Sequence, residues 1–318
     1  MQSTYAAYLF VAPFVVTFAV FGLYPIIKSL LLSLYITAGP RAQVFVGFAN
    51  FAFVLTDPDF YQAVRNTVVF ALCNLCLQLP LALAVAVALN SRRLKGRNVL
   101  RFVFFSPYLM GLVFASILFT LIFAENFGLL NVTLDALLGT PQTQHILQRL
   151  IDLPLRWLVG LQPGETWRQV RWLGASTLVM PALVMLSLWL GTGFNMIYFL
   201  AALQAVNRDL YDAVQVDGAN RWQQFVHVTL PGIKPVCVFV VILSTIGSLR
   251  VFELPWLLLR NSAGPDQAGL TIVMYLYQNG FIVGDLGYAS AIGWFLAVGI
   301  FCFALIQVRL SGAMQQEA

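Results

Sequence analysis

The amino-acid sequence predicts an all-α integral membrane protein, a bundle of six spanning helices in one domain covering residues 1–318. The first observation is composition: 60% of the residues are hydrophobic and 10% are charged, with a mean hydropathy of +0.82. Soluble domains usually have about 25% charged residues. The second is that six apolar segments reach the length of about 20 residues that a spanning helix needs. Helix is the expected state, because an open sheet would leave backbone groups unpaired in lipid.

The predicted spans are long, and several of them contain proline. Each exceeds the minimum length, so tilt or interfacial ends are expected. Proline in a spanning helix predicts kinks. The first apolar run lacks a basic start and is too long for a secretory signal, which makes it a retained span. The spans are residues 5–35, 64–90, 99–124, 173–203, 233–258 and 287–309, and the prolines are Pro13, Pro25, Pro80, Pro107 and Pro181.

The short connection between the second and third spans predicts the orientation. Residues 91–98, together with Arg101, hold five basic residues and no acidic one. Such a short basic loop is typical of the cytoplasmic side. Both termini and the loop at 204–232 are then expected in the cytoplasm. The loops expected outside are 36–63, 125–172 and 259–286.

Several function classes are not supported by the sequence. The net charge of +5 fits cytoplasmic loops, and no basic patch is interleaved with exposed aromatic residues as nucleic-acid binding requires. Cys73 and Cys76 lie inside an apolar segment, where they are expected to pack rather than bind a metal. His145 and His227 fall in loops on opposite sides and are expected to be surface residues. The chain has no nucleotide-binding phosphate loop and no H-E-x-x-H or G-x-S-x-G motif, so neither a cofactor nor catalysis is expected.

The loop at 204–232 is a polar, helix-forming island between two apolar spans. Asn207 and Asp209 are residues that begin helices, and Asp212 follows Asp209 at the spacing of a capping box. Gly218 can adopt the left-handed conformation that ends a helix. A first helix ending at this glycine is therefore predicted.

A second short helix is predicted from Ala219 to about His227, with a turn at Pro231 before the fifth span, because proline cannot continue a helix interior. Two consecutive helices joined by a glycine suggest a surface that docks on a partner. A helix resting on the lipid surface is the alternative, and the spacing alone leaves both open.

The residues of this island resemble a known motif. Asp212-Ala213-Val214, Gly218 and Leu230-Pro231 resemble the E-A-A…G…L-P loop of permease subunits of binding-protein-dependent ABC importers. Asp217-Gly218-Ala219 and Phe225 are similar to the carbohydrate-uptake branch, which includes maltose-type and glycerol-phosphate-type sugar permeases. Further segments that resemble this branch are Phe48-Ala49-Asn50-Phe51, Asp57-Pro58, Phe60, Arg65-Asn66-Thr67, Ser106-Pro107-Tyr108, Phe127-Gly128-Leu129-Leu130-Asn131, Gly264-Pro265 and Gly284-Asp285-Leu286-Gly287-Tyr288-Ala289.

The resemblance implies an assembly. It implies a subunit of an ATP-driven importer of a sugar or sugar derivative in a bacterial or archaeal cytoplasmic membrane. Its partners would be a second permease subunit, a dimer of cytoplasmic ATP-binding subunits that hydrolyse the ATP, and an extracytoplasmic solute-binding protein. The island would be the coupling helix that docks on the ATPase, through Asp212, Ala213, Val214, Asp217, Gly218, Ala219, Leu230 and Pro231.

This chain departs from the family pattern at three places. Asp212 replaces the glutamate and Val214 replaces the second alanine of the loop, which leaves open whether the contact is weakened or selects a partner. The outer stretch 140–171 is longer than the usual connection. Leu147, Leu150 and Ile151 in it share one face at helical spacing, which predicts an amphipathic helix. Contact with the binding protein and a lid on the outer surface both remain open as its role.

Polar residues inside the spans are candidates for a substrate pathway, because they tend to face a bundle interior. Arg250 and Glu253, three residues apart, are expected to pair. Hydrogen bonding between helices is the alternative role for each candidate. The candidates are Asn74 and Gln78 in the second span, Trp189, Asn195 and Tyr198 in the fourth, and Ser244, Ser248, Arg250 and Glu253 in the fifth.

A secondary transporter or channel for a small polar solute is the alternative function. A secondary transporter would favour ionisable residues near the midplane and internal repeats. The sequence shows no repeat and no clear midplane charge, and it does not identify the solute.

Overall fold

The computed structural model describes residues 2–39, 42–91, 94–125, 127–138 and 170–311, and these are almost wholly helical. The helices are α1 (Gln2–Phe18), α2 (Tyr24–Leu32), α3 (Ala49–Val54), α4 (Pro58–Cys73), α5 (Leu79–Asn90), α6 (Arg97–Leu109), α7 (Leu112–Ile122), α8 (Leu129–Leu138), α9 (Ser176–Ala205), α10 (Arg208–Val216), α11 (Arg221–Gln224), α12 (Leu230–Leu249), α13 (Glu253–Leu258), α14 (Ile272–Tyr277) and α15 (Leu286–Ser311). A short antiparallel pair, β1 (Tyr35–Ala38) and β2 (Ala42–Phe45), was not predicted; Tyr35 faces Phe45 in its register.

The number of spans agrees with the sequence when a bent pair is counted as one. The sixth candidate is α6 followed by α7, with a bend of 97° between them. Gly111 separates the two helices at φ +80° and ψ +149°, outside any helical conformation. The five continuous helical stretches that are long and apolar enough to cross a membrane are Tyr8–Leu32, Pro58–Asn90, Ser176–Ala205, Arg221–Leu249 and Leu286–Ser311.

Three prolines each lie two residues after the end of a π-helical turn. A proline in a helix lacks the N–H that would bond to the carbonyl four residues earlier, and its ring clashes with that carbonyl. The wider π-helical turn makes room for the ring without ending the helix. The π-helical segments are Ala19–Leu23 before Pro25, Asn74–Gln78 before Pro80, and Phe225–Thr229 before Pro231. By contrast, Pro13 and Pro181 lie inside the α-helices α1 and α9.

The fifth span differs from its predicted limits at both ends. The prediction of a turn at Pro231 is wrong, because the helix runs without interruption from Arg221 to Leu249 through the π-helical turn. The prediction that this span reaches residue 258 is also wrong. Phe252 leaves the helical conformation at φ −139° and ψ −56°, and a separate helix begins at Glu253. An additional apolar helical stretch, Ile272–Val283, lies within the predicted outer loop 259–286.

The chain divides into two compact units, Met1–Ala63 with Ile272–Phe301 and Val64–Thr271 with Cys302–Ala318. In the first, the Asn50 amide donates to the carbonyl oxygens of Ser33 and Tyr35, both at 2.9 Å. The Asp57 carboxylate accepts hydrogen bonds from the hydroxyl groups of Tyr275 and Tyr288. These bonds anchor the segment that follows the hairpin.

The second unit is built around α9, which packs against α5, α6 and α12. At 30 residues it extends over roughly 45 Å. Gly193 allows the closest approach: a Cβ at this position would lie 1.9 Å from the Phe104 carbonyl oxygen of α6. A small residue at a helix crossing lets the backbones of spanning helices meet.

Some predictions fall outside the described residues. They concern Arg92 and Arg93 of the basic connection, His145, and the amphipathic helix expected in 140–171. Of the predicted outer loop at 125–172, the structure describes residue 125, residues 127–138, which include α8, and residues 170–172.

Candidate functional site

The polar island begins with a capped helix. The side chain of Asn207 accepts a hydrogen bond from the Asp209 backbone N–H at 3.0 Å, which makes Asn207 the N-cap of α10. Asp209 is therefore inside the helix, and the predicted capping box between Asp209 and Asp212 is wrong. A capping box does form at the next helix, where Asn220 and Gln223 exchange hydrogen bonds of 2.8 and 2.9 Å.

The glycine between the two helices has the predicted left-handed conformation, with φ +79° at Gly218. The Gly218 N–H donates to the Gln215 carbonyl at 3.1 Å, and the Ala219 N–H donates to the Val214 carbonyl at 3.0 Å. These bonds satisfy carbonyl groups at the end of α10. A Cβ at position 218 would meet nothing within 4 Å, so the turn requires glycine for its conformation and not for space.

The two helices are also joined through side chains. The hydroxyl groups of Tyr211 and Thr229 lie 2.9 Å apart, which connects α10 to the π-helical turn before α12. The Gln224 amide donates to the Ala219 carbonyl at 3.0 Å. Residues 207–229 therefore form a small folded element with internal hydrogen bonds.

This element presents apolar side chains on its surface. No residue of α10 is buried, and Val216 is 88% exposed. Trp222 is 71% exposed and stacks on Phe225 with ring centroids 5.7 Å apart. Of the residues in the motif, Asp212, Ala213, Asp217, Gly218, Leu230 and Pro231 are exposed, and Val214 and Ala219 are half-buried.

A second feature, the polar cavity, lies among the helices of the second unit and has a volume of about 260 Å³. It is lined by the π-helical turn between α4 and α5 and by residues of α6, α9 and α12. The structure brings together six of the nine pathway candidates here: Asn74, Gln78, Asn195, Tyr198, Ser244 and Ser248.

Hydrogen bonds hold one side of the polar cavity. Gln78 donates to the Ser187 carbonyl at 2.9 Å and accepts from the Asn195 amide at 3.2 Å. Asn74 donates to the Ser248 hydroxyl at 3.4 Å, while its own carbonyl oxygen is buried and has no partner in the described structure. The bonds of Gln78 are the interhelical contacts that the sequence left as an alternative, whereas Asn74 retains unused hydrogen-bonding capacity.

Aromatic rings line another part of the polar cavity. Tyr108 stacks on Phe194 with centroids 4.6 Å apart, and Tyr198 meets Phe194 edge-on at 5.1 Å. Stacked and edge-to-face pairs are the preferred arrangements of aromatic rings. The polar cavity therefore combines amide, hydroxyl and aromatic groups.

Three pathway candidates do not line the polar cavity. Trp189 packs on Phe119 with ring centroids 5.3 Å apart, inside an apolar cluster. Arg250 caps the end of α12 and Glu253 lies in the first turn of α13; both are exposed. The predicted pairing of Arg250 with Glu253 is not present among the described ion pairs. The helix break after Leu249 removes the continuous helix on which that spacing depended.

Several residues that line the polar cavity were not among the predicted pathway residues. Ser187, Gly191 and Asn195 recur every four residues along α9, so helical periodicity from Asn195 would have found the first two. Phe194 lies on the same face of α9, seven residues after Ser187, and Tyr108 is the last residue of the Ser106-Pro107-Tyr108 segment that resembles the family. In the described ranges, no three His, Cys, Asp or Glu side chains are grouped so that they could hold a metal.

Comparison with known proteins shows the family to which the chain belongs. Residues 78–316 match the family described as "Binding-protein-dependent transport system inner membrane component". The arabinooligosaccharides transport system permease protein AraP of Bacillus subtilis is 38% identical over 98% of this chain and 90% of its own length. The lactose transport system permease protein LacF of Rhizobium radiobacter is 33% identical over 94% of this chain and 92% of its own length.

A solved structure shows the same fold. A bacterial ABC transporter involved in the import of the acidic polysaccharide alginate contains a chain with a TM-score of 0.76 and 24% identity, covering 98% of this chain and 96% of that one. The sequence-based resemblance is thus confirmed. The chain belongs to the family of binding-protein-dependent transport system inner membrane components and is a permease subunit of an ABC importer.

Proposed function

We propose that this permease subunit carries a saccharide, delivered by an extracytoplasmic binding protein, through the polar cavity. Residues 207–229, here called the coupling segment, dock on a separate ATP-hydrolysing subunit in the cytoplasm. A second permease subunit completes the pathway, and both termini of this chain lie in the cytoplasm. Two relatives, whose names specify arabinooligosaccharides and lactose, support the substrate class.

The observation that carries the proposal is the architecture of the coupling segment. A loop that merely joins two spans needs no caps, yet here Asn207 and Asn220 both cap helices and Gly218 makes a left-handed turn. The exposed Val216 ends α10, and the exposed Trp222 of α11 stacks on Phe225, so apolar groups lie on both sides of this turn. Exposed apolar groups on a rigid element are typical of a docking surface.

The link to the membrane supports a role in transmitting motion. The Tyr211–Thr229 hydrogen bond joins α10 to the π-helical turn, and that turn continues without a break into α12. α12 carries Ser244 and Ser248 into the polar cavity. A displacement of α10 by the ATP-hydrolysing subunit would therefore act on a helix that lines the cavity. Leu230 and Pro231 lie at the start of that helix, where they would brace it.

The motif residues that face outward supply the proposed contact. Asp212, Ala213, Asp217 and Gly218 are exposed, and Asp212 lines a polar cleft with Asn90 and Arg208. Val214 and Ala219 are half-buried, so they support the shape of the coupling segment as well as its surface. The valine in place of the family alanine thus adds bulk partly inside the element.

The chemistry of the polar cavity suits a sugar. Binding sites for small molecules combine apolar and aromatic walls with a few placed polar groups. Aromatic faces pack on the C–H surface of a sugar ring, and amide and hydroxyl groups bond to its hydroxyls. Tyr108, Phe194 and Tyr198 supply the former, and Asn74 and Ser248 supply the latter.

Reconstitution tests the proposal. The permease pair, its ATP-hydrolysing subunits and the binding protein are placed in proteoliposomes, and uptake of radiolabelled arabinotriose and lactose is measured. ATP-dependent uptake of at least one saccharide that persists with ionophores is expected. Uptake without ATP that is abolished by ionophores would instead indicate a secondary transporter and would overturn the proposal.

A further inference from the structure

We infer that the polar cavity takes a neutral saccharide and that the side-chain amide of Asn74 is a binding residue that pairs with a ligand hydroxyl. The inference rests on the proposed function and narrows it in two respects: the charge of the substrate and the residue that recognises it.

The lining of the polar cavity is uncharged. Among the described residues that line it, the polar side chains are asparagine, glutamine, serine and tyrosine, and none is Asp, Glu, Lys, Arg or His. Arg250, which follows the end of α12, and Glu253, in the first turn of α13, are the charged residues nearest to Ser248 in the sequence, and both lie outside the lining.

An uncharged lining disfavours an ionised ligand. Moving a carboxylate out of water costs a large desolvation free energy unless a cation or several donors compensate for it. The described residues of this chain that line the polar cavity supply no cation. A saccharide that carries only hydroxyl groups avoids this cost, because each hydroxyl needs one donor or acceptor.

Most amides in the polar cavity are already engaged in bonds within the protein. Gln78 donates to the Ser187 carbonyl and accepts from Asn195, so its two ends are both used between helices. Such bonds hold the wall in place and leave little capacity for a ligand.

Asn74 is different. It is 4% exposed, it lines the polar cavity, and its carbonyl oxygen has no partner in the described structure. The oxygen and nitrogen of the Asn74 amide could be exchanged, but one of the two atoms would still have no hydrogen-bond partner, because the Ser248 hydroxyl bonds to only one of them. A buried polar group without a hydrogen-bond partner is uncommon in proteins. A bound ligand would supply the partner that Asn74 lacks.

The local backbone gives the side chain its position. Asn74 is the first residue of the π-helical turn that precedes Pro80. Single π-helical turns within α-helices are frequent at functional sites. A small movement of the Asn74 amide away from Ser248 would bring its unpartnered oxygen to a ligand hydroxyl. Ligand binding would then give this buried oxygen a hydrogen bond that the protein does not supply.

Thr192 provides a matched control. Its hydroxyl is also buried and without a partner in the described structure, and it lies on the same helix as Asn195, but it does not line the polar cavity. If buried unpaired groups affected binding only through stability, Thr192→Val and a variant of Asn74 would behave alike.

The test uses direct binding, so that the specificity of the binding protein does not enter. The assembled permease pair with its ATP-hydrolysing subunits, in nanodiscs, is titrated with tritiated arabinotriose and with lactose by equilibrium dialysis. Asn74→Leu, and Asn74→Ala as a smaller variant, should raise the dissociation constant about three- to tenfold, the effect of one lost hydrogen bond. Thr192→Val should change it by less than about twofold. The aldonates made by oxidising the reducing ends of the two sugars should bind at least about tenfold more weakly than the corresponding alditols, which have the same opened terminal residue but no charge.

Four results would overturn the inference: equal binding by Asn74→Leu and the wild type, an equal loss of binding in Thr192→Val and Asn74→Leu, aldonates that bind as tightly as the alditols or more tightly, or no binding of either neutral sugar. ATP-dependent uptake alongside any of these would leave the proposed function intact. If the Leu variant does not assemble, the Ala variant decides the question.

Discussion

The side chain of Gln78 occupies the space beside Gly191, so that a Cβ atom at position 191 would lie 2.1 Å from Gln78 Nε2. The same Nε2 donates to the Ser187 carbonyl one helical turn away. Glycine at 191 therefore makes room for an amide that joins two spanning helices at the wall of the polar cavity.

Gly191→Ala should displace this amide without breaking the helix packing. The clash is with the end of a flexible side chain, which can swing away, but Gln78 then loses its bonds to Ser187 and Asn195. Leaving buried polar groups unpaired costs about 1–3 kcal/mol. We expect weaker saccharide binding with a moderate loss of thermal stability, measured by dialysis and by scanning fluorimetry on the purified assembly. Gly299→Ala, whose added methyl meets nothing within 4 Å, should leave both unchanged.

Gly193→Ala should act on folding rather than on binding. Its added methyl would lie 1.9 Å from the Phe104 carbonyl oxygen, which is backbone and cannot rotate away. α9 and α6 must separate, and overpacking of this kind typically costs about 1–3 kcal/mol and occasionally more. A larger fall in melting temperature than for Gly191→Ala is expected by scanning fluorimetry. Equal melting temperatures for the two variants would show that the helices are not packed this closely.

Substitutions at Gly218 should separate conformation from size. Valine is strained at φ +79°, whereas asparagine adopts the left-handed region more readily, and the space around this position is open to both. We expect Gly218→Val to reduce saccharide-stimulated ATP hydrolysis by several-fold and Gly218→Asn to retain most of it. Similar losses in both variants would mean that the turn conformation is not what matters here.

The Tyr211–Thr229 hydrogen bond should contribute to coupling. Tyr211→Phe and Thr229→Val each remove one partner of the 2.9 Å contact. Each single variant should lower the ratio of transport to ATP hydrolysis, and the double variant should lower it little further, because the Tyr211–Thr229 bond is already lost and the other bond of the Thr229 hydroxyl, to the Gln224 carbonyl, is long at 3.4 Å. The ratio is measured in proteoliposomes. Additive losses would indicate that the two hydroxyls act separately.

The sequence predicted the elements whose signals are local. Apolar length predicted the spans, and Gly218 predicted the left-handed turn, because each depends on one segment alone. Asn207 and Asp209 were both predicted to begin the first helix, and the structure has Asn207 as its N-cap, because both residue types favour that position and only the backbone decides between them.

The path of the chain around prolines was harder to predict. Pro231 was expected to end a helix, but a π-helical turn before it lets the helix continue, and the local sequence carries no established signal for such a turn. The polar cavity was predicted in part. Asn74, Asn195 and Ser248 are visible as polar residues in apolar spans, whereas Gly191 acts only through the partner helix that it faces.

Photo-crosslinking from the tip of α10 tests most directly whether the coupling segment meets the ATP-hydrolysing subunit. A benzophenone amino acid is placed at Val216, which is 88% exposed, and as a control at Phe48, which is 76% exposed in a loop predicted on the outer side. In the assembled transporter, Val216 should crosslink to the ATP-hydrolysing subunit and Phe48 should not. Crosslinking of Val216 to lipid alone, in a transporter that hydrolyses ATP, would contradict the account.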